Sequence, residues 1–516
     1  MSRRTPLGRI WAPVLLPAIL PFLLSAAREP FAIRVVDEET GRGVPLVELA
    51  TTSNIRLYTD SNGFVAFDEP GLMDNGEVWF SVKSHGYEHA ADGFGFRGVR
   101  LKPTPGGEAT IRVKRINIAE RLYRVTGQGI YTDTVRLGLD APIDEPVLNA
   151  RVAGQDSVQS IVYRGKLYLF WGDTGQAGYP LGLFEMSGAT AVLPEDGGLH
   201  PDVGINLDYF VDEETGFSRP MAPLPEEGVV WCDALMTLPD EAGRERLLCH
   251  FTRLRGLTEP LERGLMIFDD ETETFRRLAP VQMEARRSPG GHAFVVERDG
   301  RDYIYFPRPY PDVRVPADLA AVQDPEAYEA YTPLVAGARF EGEKTRLERD
   351  AMGRLVWGWK RAEPITPAQQ KELVESGLMK REESPFRLHD AASGRQILLH
   401  GSSVAWNPFR RRWLMIGLEL GGESSMLGEI WYAEAMAPEG PWGAAVKIVT
   451  HDDYSFYNPR HHAMLDQQGG RFIYFEGTYT MMFSGTKSPT PRYDYNQVMY
   501  RLDLADPGLR PVHTDE

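Results

Sequence analysis

The chain has 516 residues, which is too long for one compact core, so at least two folded units are expected. Its hydrophobic content of 42% and charged content of 25% are ordinary for a globular protein. The 73 acidic residues outnumber the 56 basic residues, which gives a net charge of −17. This excess argues against nucleic acid or an anionic membrane as a partner, because phosphate binding needs a basic surface. A neutral or weakly charged substrate fits the composition better.

The first residues have the pattern of a signal peptide. Arginines precede an apolar run at residues 10–24, and the sequence SAA at 25–27 has the small-x-small form of a cleavage site. The run contains three prolines and is short for a membrane span, so an uncleaved anchor is the lesser alternative. We predict a signal peptide at 1–27, a secreted or periplasmic protein, and no membrane span after cleavage. Cys232 and Cys249 are the only cysteines, and the sequence leaves open whether they form a disulfide.

Residues 31–70 alternate apolar and polar side chains between turn clusters such as ETG and DSNG. Short strands at this spacing predict a small β-sandwich, which we assign to residues 28–115. The stretches TGRGVPLVEL, TDSNGFVAF and SHGYE resemble the carboxypeptidase-regulatory, transthyretin-like modules of secreted proteins. The resemblance implies a spacer or docking module. No catalytic constellation is present there, and His85 and His89 are predicted to be surface residues.

One pattern recurs from residue 155 onward: a short strand, a polar turn, a strongly aromatic second strand and then more strand. Its five instances are at residues 155–174, 230–253, 290–309, 400–419 and 460–479. All-β repeats at this period predict a five-bladed β-propeller, which we assign to residues 116–510. The segment 115–138 is a candidate for the strand that closes the last blade.

An insertion at about residues 310–396 separates the third and fourth repeats. Within it, TPAQQKELVESG predicts a helix with Thr366 as N-cap, Pro367 at the first helical position, Gln369 at the third and Gly377 after the end. An insertion of this length in a propeller is expected to roof or wall the opening of the ring.

In a propeller blade the start of the first strand and the end of the second lie at the same opening, which we call the mouth. The predicted first-strand starts carry Asp156, Asp233, His292, Ser402 and His461, and the predicted second-strand ends carry Asp173, Arg253, Arg308, Glu419 and Glu476, followed by Tyr479. Together these residues form a polar pocket with candidates for acid and base roles. For any single aspartate, a backbone cap after a turn is the alternative.

Several other chemistries are disfavoured. Adjacent strand residues point to opposite faces, so at most one of His461 and His462 faces the channel, and no metal-ligand spacing occurs elsewhere. We therefore predict no cofactor and no metal site, although a structural Ca²⁺ in the channel is compatible with the sequence. No GxSxG elbow is present, and no glycine pair precedes a helix that could bind phosphate.

The propeller part, over about residues 120–510, resembles five-bladed glycoside hydrolases of the arabinanase and endo-D-arabinanase type. The resemblance is carried by SIVYRGKLYLFWGDT, SSMLGEIWYAEAMAPEGPW and the YNPRHHAMLD and IYFEGTY stretches. It implies an acid at the start of the first blade, here Asp156, and acids from later blades, here Asp233 and either Glu476 or Glu419. The third blade starts with His292 instead, which leaves the proton donor open.

The leading hypothesis is a secreted glycoside hydrolase that acts on a polysaccharide with two carboxylates. Asp156 is the candidate base or nucleophile, Asp233 supplies or tunes the acid, and Glu476 is the alternative acid. The predicted substrate-binding residues are Asp173, Trp171, Arg253, His292, Arg308, Glu419, His461 and Tyr479, with Trp171, Tyr479 and Trp406 as candidate sugar-stacking residues. Two alternatives stay open. One is a polysaccharide lyase, in which Tyr479 or Tyr457 acts with His461 or His292 to abstract a proton beside a uronate carboxyl, and Arg253 or Arg308 neutralises that carboxyl. The other is a non-catalytic glycan-binding or envelope protein.

Overall fold

The computed structural model describes Met1, residues 29–284 and residues 286–513. The predicted signal peptide, apart from Met1, lies outside the described residues. Within these ranges the chain forms thirty-two strands and two short α-helices. No helix of the described residues is long and apolar enough to cross a membrane.

The N-terminal unit is a pair of packed sheets. Its strands are β1 (Phe31–Asp37), β2 (Glu48–Thr51), β3 (Arg56–Tyr58), β4 (Phe64–Phe67), β5 (Val78–Lys83), β6 (Tyr87–Glu88), β7 (Gly98–Leu101) and β8 (Glu108–Arg115). One sheet has the order β4-β1-β8-β6 and the other β3-β2-β5-β7. Apolar side chains from both sheets, among them Ile33, Leu49 and Phe80, share one buried core. The predicted turn DSNG is present, with Gly63 in the left-handed region at φ 79°, where a side chain would meet the Val35 carbonyl.

The rest of the chain is built from five successive sheets. Its elements are β9 (Glu120–Arg124), α1 (Thr132–Arg136), β10 (Val152–Gln155), β11 (Gln159–Tyr163), β12 (Lys166–Trp171), β13 (Thr174–Gln176), β14 (Ser187–Ala191), β15 (Asp208–Tyr209), β16 (Val229–Pro239), β17 (Glu245–Arg255), β18 (Glu259–Asp269), β19 (Thr274–Pro280), β20 (Phe294–Arg298), β21 (Arg301–Pro307), β22 (Pro311–Pro316), β23 (Glu329–Thr332), β24 (Gly358–Lys360), α2 (Pro367–Glu375), β25 (Phe386–Asp390), β26 (Leu399–Asn407), β27 (Arg412–Glu419), β28 (Ile430–Ala435), β29 (Trp442–Val449), β30 (Ser455–His461), β31 (Phe472–Thr480) and β32 (Asn496–Asp503). The sheets, called first to fifth below, have the orders β11-β12-β14-β15, β16-β17-β18-β19, β20-β21-β22-β23-β24, β25-β29-β28-β27-β26 and β30-β31-β32-β9. Strands β10 and β13 form a separate pair.

The innermost strands of these sheets form a closed ring. β11 contacts β16, and β26 contacts β30. The second and third sheets meet where Gly291 N–H donates to Asp233, and the third and fourth where the Ser402 hydroxyl donates to the Pro309 carbonyl at 2.5 Å. The fifth sheet returns to the first where Arg460 donates to Ser160. The predicted all-β propeller fold is confirmed. The predicted closing strand is also confirmed, because β9 pairs with β32 as the outer strand of the fifth sheet.

The insertion between the third and fourth repeats extends the sheets outward. Strands β23 and β24 are the outer strands of the third sheet, and β25 pairs in parallel with β29 at the outer edge of the fourth. The predicted helix is confirmed as α2, with the full capping box between Thr366 and Gln369. The expectation that the insertion roofs the mouth is wrong for these strands, since they lie at the outer edges of the sheets and not at the inner strands that surround the channel.

The sandwich is joined to the fifth sheet by a buried arginine. Arg121, on β9, donates to the carbonyl of Pro45 at 3.1 and 2.8 Å, to the carbonyl of His85 at 3.0 Å and to the Ser84 hydroxyl at 2.7 Å. His85 in turn contacts the Tyr479 hydroxyl at 2.8 Å. The prediction that His85 is a surface residue is therefore wrong, because the sandwich covers it against the propeller.

Candidate functional site

A backbone feature marks the mouth in four of the five sheets. The residues that follow Asp156, Asp233, Gly290 and Tyr457 all have positive φ, at 56°, 52°, 76° and 50° for Ser157, Ala234, Gly291 and Asn458. Three of these four are not glycine, and such residues seldom adopt this conformation. The shared kink makes these four positions equivalent. Asp156 and Gly290 lie just before the innermost strands β11 and β20, and Asp233 and Tyr457 lie in the first half of the innermost strands β16 and β30.

Asp156 is held from the fifth sheet. The Tyr457 hydroxyl donates a hydrogen bond of 2.6 Å to Asp156 Oδ2. Burial raises the pKa of Asp156, while the hydroxyls of Tyr457, Tyr495 and Ser157 lower it by stabilising the carboxylate. The adjacent kink is fixed as well, because Asn458 donates to the Ser157 hydroxyl at 2.8 Å. The carboxylate is thus positioned by two sheets that are distant in sequence.

Asp173 lies beside Asp156 at the end of the second strand of the first sheet. Burial, and then the charge of Asp156, raise the pKa of Asp173 to about 6. One hydrogen bond, from the Trp231 indole at 3.2 Å, opposes this shift. Two carboxyl groups in one mouth therefore differ in environment: phenols stabilise the charged form of Asp156, and the charge of Asp156 favours the protonated form of Asp173.

Asp233 belongs to the same mouth, because Trp231 on the same strand reaches Asp173. Asp233 accepts from the backbone N–H groups of Ala234 at 2.8 Å and Gly291 at 3.0 Å, and from Gln159 at 3.2 Å. Burial raises its pKa, whereas Gly291 N–H, the charge of Arg308 and Ala234 N–H lower it. Three donors occupy this carboxylate, so it is oriented more firmly than Asp173.

The third sheet supplies a cation to the mouth, where the sequence pattern predicted His292. Its equivalent position is Gly290, and a side chain there would meet the aliphatic part of Arg308 at 2.6 Å and Asp233 at 3.2 Å. Arg308, a predicted substrate-binding residue, is exposed. The glycine leaves the room that Arg308 occupies, which places a guanidinium in the mouth.

Below the mouth the channel is filled by a buried polar cluster. Arg460 donates to the Ser160 hydroxyl at 3.0 Å and its carbonyl at 2.9 Å, and burial lowers the pKa of Arg460 to about 10. His292 is buried beside Arg460 and His462, and burial followed by their charges lowers its pKa. His462 Nδ1 lies 2.9 Å from the Ser160 hydroxyl, and its Nε2 lies 3.5 Å from Glu476. This cluster connects the first, third and fifth sheets around the axis.

Glu476 and His461 do not reach the mouth. Glu476 is 0% exposed, and neither of its oxygens accepts a hydrogen bond from the described residues. His461 is buried against Asp466, at 2.9 Å. The predicted fifth repeat started too late: the innermost strand is Ser455–His461, and a bulge shifts its register so that Arg460 pairs with Glu476. The mouth position of the fifth sheet is therefore Tyr457.

Four other predicted binding residues have structural contacts instead. Trp171 is buried in the core, with its ring 5.5 Å from that of Tyr209, and Tyr479 is buried with its ring stacked 4.2 Å from that of Tyr454. Glu419 is buried and accepts from Trp431 at 2.8 Å and from Arg395. Arg253 pairs with Glu262 at 3.0 Å. Trp406 is half-exposed on the fourth sheet, at the far end of β26 from the mouth.

Sequence reasoning missed several residues around the carboxylates. Trp231, Tyr495 and Ser157 contact or flank them, and the only signal was their nearness in sequence to predicted site residues. The sequence points to Tyr457 only as a residue of the alternative lyase. Asp312, which follows the mouth turn of the third sheet, also carries no sequence signal, and burial raises its pKa to about 8.

In the described residues no group of three or more histidine, cysteine, aspartate or glutamate side chains is arranged to hold a metal. Cys232 and Cys249 are both free thiols.

Comparison with known proteins gives distant structural likenesses. No protein-family model matches this sequence, and no curated protein matches it. A family 43 glycoside hydrolase, the YxiA protein from Bacillus licheniformis, has 12% identity and a TM-score of 0.34 over 67% of this chain and 71% of that one. An exo-1,5-α-L-arabinanase from a bovine ruminal metagenomic library has 11% identity and a TM-score of 0.33 over 68% and 94%. The endo-1,5-α-L-arabinanase from Thermotoga petrophila RKU-1 has 12% identity and a TM-score of 0.33, over 67% of this chain and 70% of that one. At these values the likeness assigns neither an activity nor a substrate to this chain.

Proposed function

We propose that this chain is an exported glycoside hydrolase that cleaves a polysaccharide in the propeller mouth. The observation that carries the proposal is the pair Asp156 and Asp173, two neighbouring carboxyl groups with different partners. Burial raises the pKa of both, while phenol hydroxyls lower that of Asp156 and the charge of Asp156 raises that of Asp173. Such a pair supplies a base and an acid at the same pH, which is what glycosidic bond cleavage requires.

Each group has a role that its contacts favour. Asp156 is the carboxylate that attacks the anomeric carbon or deprotonates the attacking water, because the Tyr457 hydroxyl favours its charged form. Asp173 is the proton donor: as the bond from the anomeric carbon to the leaving oxygen breaks, that oxygen takes the Asp173 proton. Asp233, with three donors and Arg308 nearby, orients the substrate and adjusts the field around the pair. The alternative acid Glu476 is not retained, because it is fully buried.

A lyase is less well supported. Burial and the charge of Asp156 raise the pKa of Tyr457, so its phenol stays protonated and cannot abstract a proton. Tyr479, His461 and His292 are buried and do not meet Tyr457 in an open site. A lyase would release a product with an ultraviolet-absorbing double bond, and hydrolysis would not.

The experiment is a panel of plant and algal polysaccharides incubated with the exported protein, with reducing ends and absorbance followed together. We expect new reducing ends without an absorbing product, and their loss in Asp156→Asn with the melting temperature unchanged. Asp196→Asn, at an exposed aspartate in the connection between β14 and β15, is the matched control and keeps full activity. Unchanged turnover in Asp156→Asn would refute the site, and saccharide binding without turnover in the wild type would favour a glycan-binding protein.

A further inference from the structure

A second pocket opens beside Asp233, between the second and third sheets. Its volume is about 330 Å³, and its wall includes Trp231, Asp233, His250, Thr252, Arg263 and Arg308. This volume lies at the lower end of the range for small-molecule sites and suits one sugar unit. Trp231 is partly exposed and offers a flat apolar face, while Thr252 offers a hydroxyl.

Two arginines of this pocket have N–H groups without partners. Among the described residues, the Arg308 guanidinium makes no hydrogen bond or ion pair. The Nε of Arg263 is buried without a hydrogen-bond partner, and its Nη1 makes one long contact of 3.4 Å with the Met283 carbonyl. By contrast, Arg253 and Arg277, which lie on the second sheet with Arg263, both form ion pairs with Glu262, at 3.0 and 2.7 Å. Carboxylates thus occupy the neighbouring guanidinium groups and leave these two open.

We propose that this pocket is a subsite for a sugar unit that bears an anionic substituent, a carboxylate or a sulfate ester. Guanidinium groups bind such oxyanions through paired N–H donors, and two of them outweigh the single negative charge of Asp233 in the wall. The inference rests on the proposed function, in that the neighbouring mouth binds the same polysaccharide. It also departs from the expectation of a neutral substrate, because the net charge of −17 averages over a surface whose local charge here is positive.

Binding, rather than turnover, is the test. Calorimetric titration of the inactive Asp156→Asn protein would use uronate oligosaccharides, their methyl esters, sulfated oligosaccharides and neutral oligosaccharides of equal length. We expect the acidic members to bind at least about tenfold more tightly than the neutral ones, with the preference reduced by added salt. The methyl esters separate a carboxylate subsite from a sulfate subsite, since only the uronates lose affinity on esterification.

Arginine variants locate the effect. In Asp156→Asn, the further changes Arg308→Gln and Arg263→Gln are each expected to weaken acidic oligosaccharides about tenfold or more and to leave neutral ones unchanged. The control is Arg255→Gln. Arg255 is an exposed arginine of the second sheet that pairs with Glu259 at 2.8 Å. Melting temperatures identify any variant that does not fold.

The outcomes separate the two proposals. Equal affinity for acidic and neutral oligosaccharides, or no saturable binding of any acidic member, would overturn the anionic subsite. Neither result would contradict the proposed hydrolysis. Arginine-dependent binding of acidic oligosaccharides to a wild-type protein that never cleaves them would support the subsite and overturn the hydrolase.

Discussion

The Tyr457 hydroxyl donates a 2.6 Å hydrogen bond to Asp156 Oδ2, and the two residues are 301 positions apart in the sequence. Tyr457 is the third residue of the innermost strand of the fifth sheet, and Asp156 lies just before the innermost strand of the first sheet. The bond therefore crosses the closure of the ring. The same contact that stabilises the Asp156 carboxylate also requires the propeller to be closed.

Loss of this hydrogen bond is predicted to make Asp156 more basic. In Tyr457→Phe the stabilising donor is gone, so the pKa of Asp156 rises, and the acid limb of the pH profile of kcat/KM moves to higher pH. We expect turnover at neutral pH to fall about tenfold to a hundredfold. Tyr163→Phe removes a similar bond, to Asp270 at 2.8 Å, outside the mouth, and its profile should match the wild type. An unshifted acid limb in Tyr457→Phe would separate the tyrosine from the base.

Asp173 is predicted to set the alkaline limb. A proton donor must be protonated, and its pKa of about 6 means that activity falls as the pH rises through about 6. Asp173→Asn should lose this limb and most activity on natural glycosides. It should retain activity on aryl glycosides whose leaving group needs no proton. Equal losses on both kinds of substrate would contradict the role as acid.

The ionised Asp173 carboxylate should also lower the free energy of unfolding at neutral pH. Its folded pKa of about 6 lies above its ordinary value of 3.8, so between these values the folded chain binds more protons than the unfolded chain. The contribution of Asp173 to the free energy of unfolding is then greatest below about pH 4 and falls as the pH rises to about 6. Asp173→Asn removes this dependence, and its melting temperature at pH 7 should exceed that of the wild type. A lower melting temperature at pH 7 would show that the carboxylate stabilises the fold.

Glu476 is predicted to be structural. Glu476→Gln removes the negative charge that faces His462 at 3.5 Å and leaves the buried Arg460 without compensation. Breaking a buried charge arrangement costs about 3–5 kcal/mol, so urea denaturation should show a large loss of stability. The folded fraction should keep its kcat. A normal stability with abolished turnover would return Glu476 to the catalytic candidates.

Arg121 is predicted to hold the sandwich on the propeller. Arg121→Ala removes four hydrogen bonds, to the carbonyl groups of Pro45 and His85 and to the Ser84 hydroxyl, and leaves these acceptors without that donor. Hydrogen bonds to a charged group contribute about 1.5–3 kcal/mol each, and unsatisfied acceptors add to the loss. We expect faster proteolysis between the two units and a lower melting temperature. Arg112→Ala, at an exposed position on β8, is the control, and the protease should cleave it no faster than the wild type.

Strand patterns were readable from the sequence because their determinants are local. Alternation of apolar and polar residues, aromatic second strands and polar turns fixed the existence of the repeats. The helix capped by Thr366 was readable for the same reason, since its capping box needs only residues three positions apart. Asp156 and Asp233 could be placed at the mouth because Asp156 precedes β11 and Asp233 lies in the first half of β16, and both strands are recognisable in the sequence.

Only the tertiary structure decided which carboxylates meet and which are buried. The bulge in β30 shifts the register of the fifth sheet, and such a shift changes the depth and the face of every following side chain. For that reason Glu476 and His461 are enclosed, while Tyr457 takes the mouth position. The pKa of about 6 for Asp173 likewise depends on burial and on the nearness of Asp156, which are properties of the closed ring. Local patterns determined the strands, and long-range packing determined the chemistry, because burial and charge act through space and not along the chain.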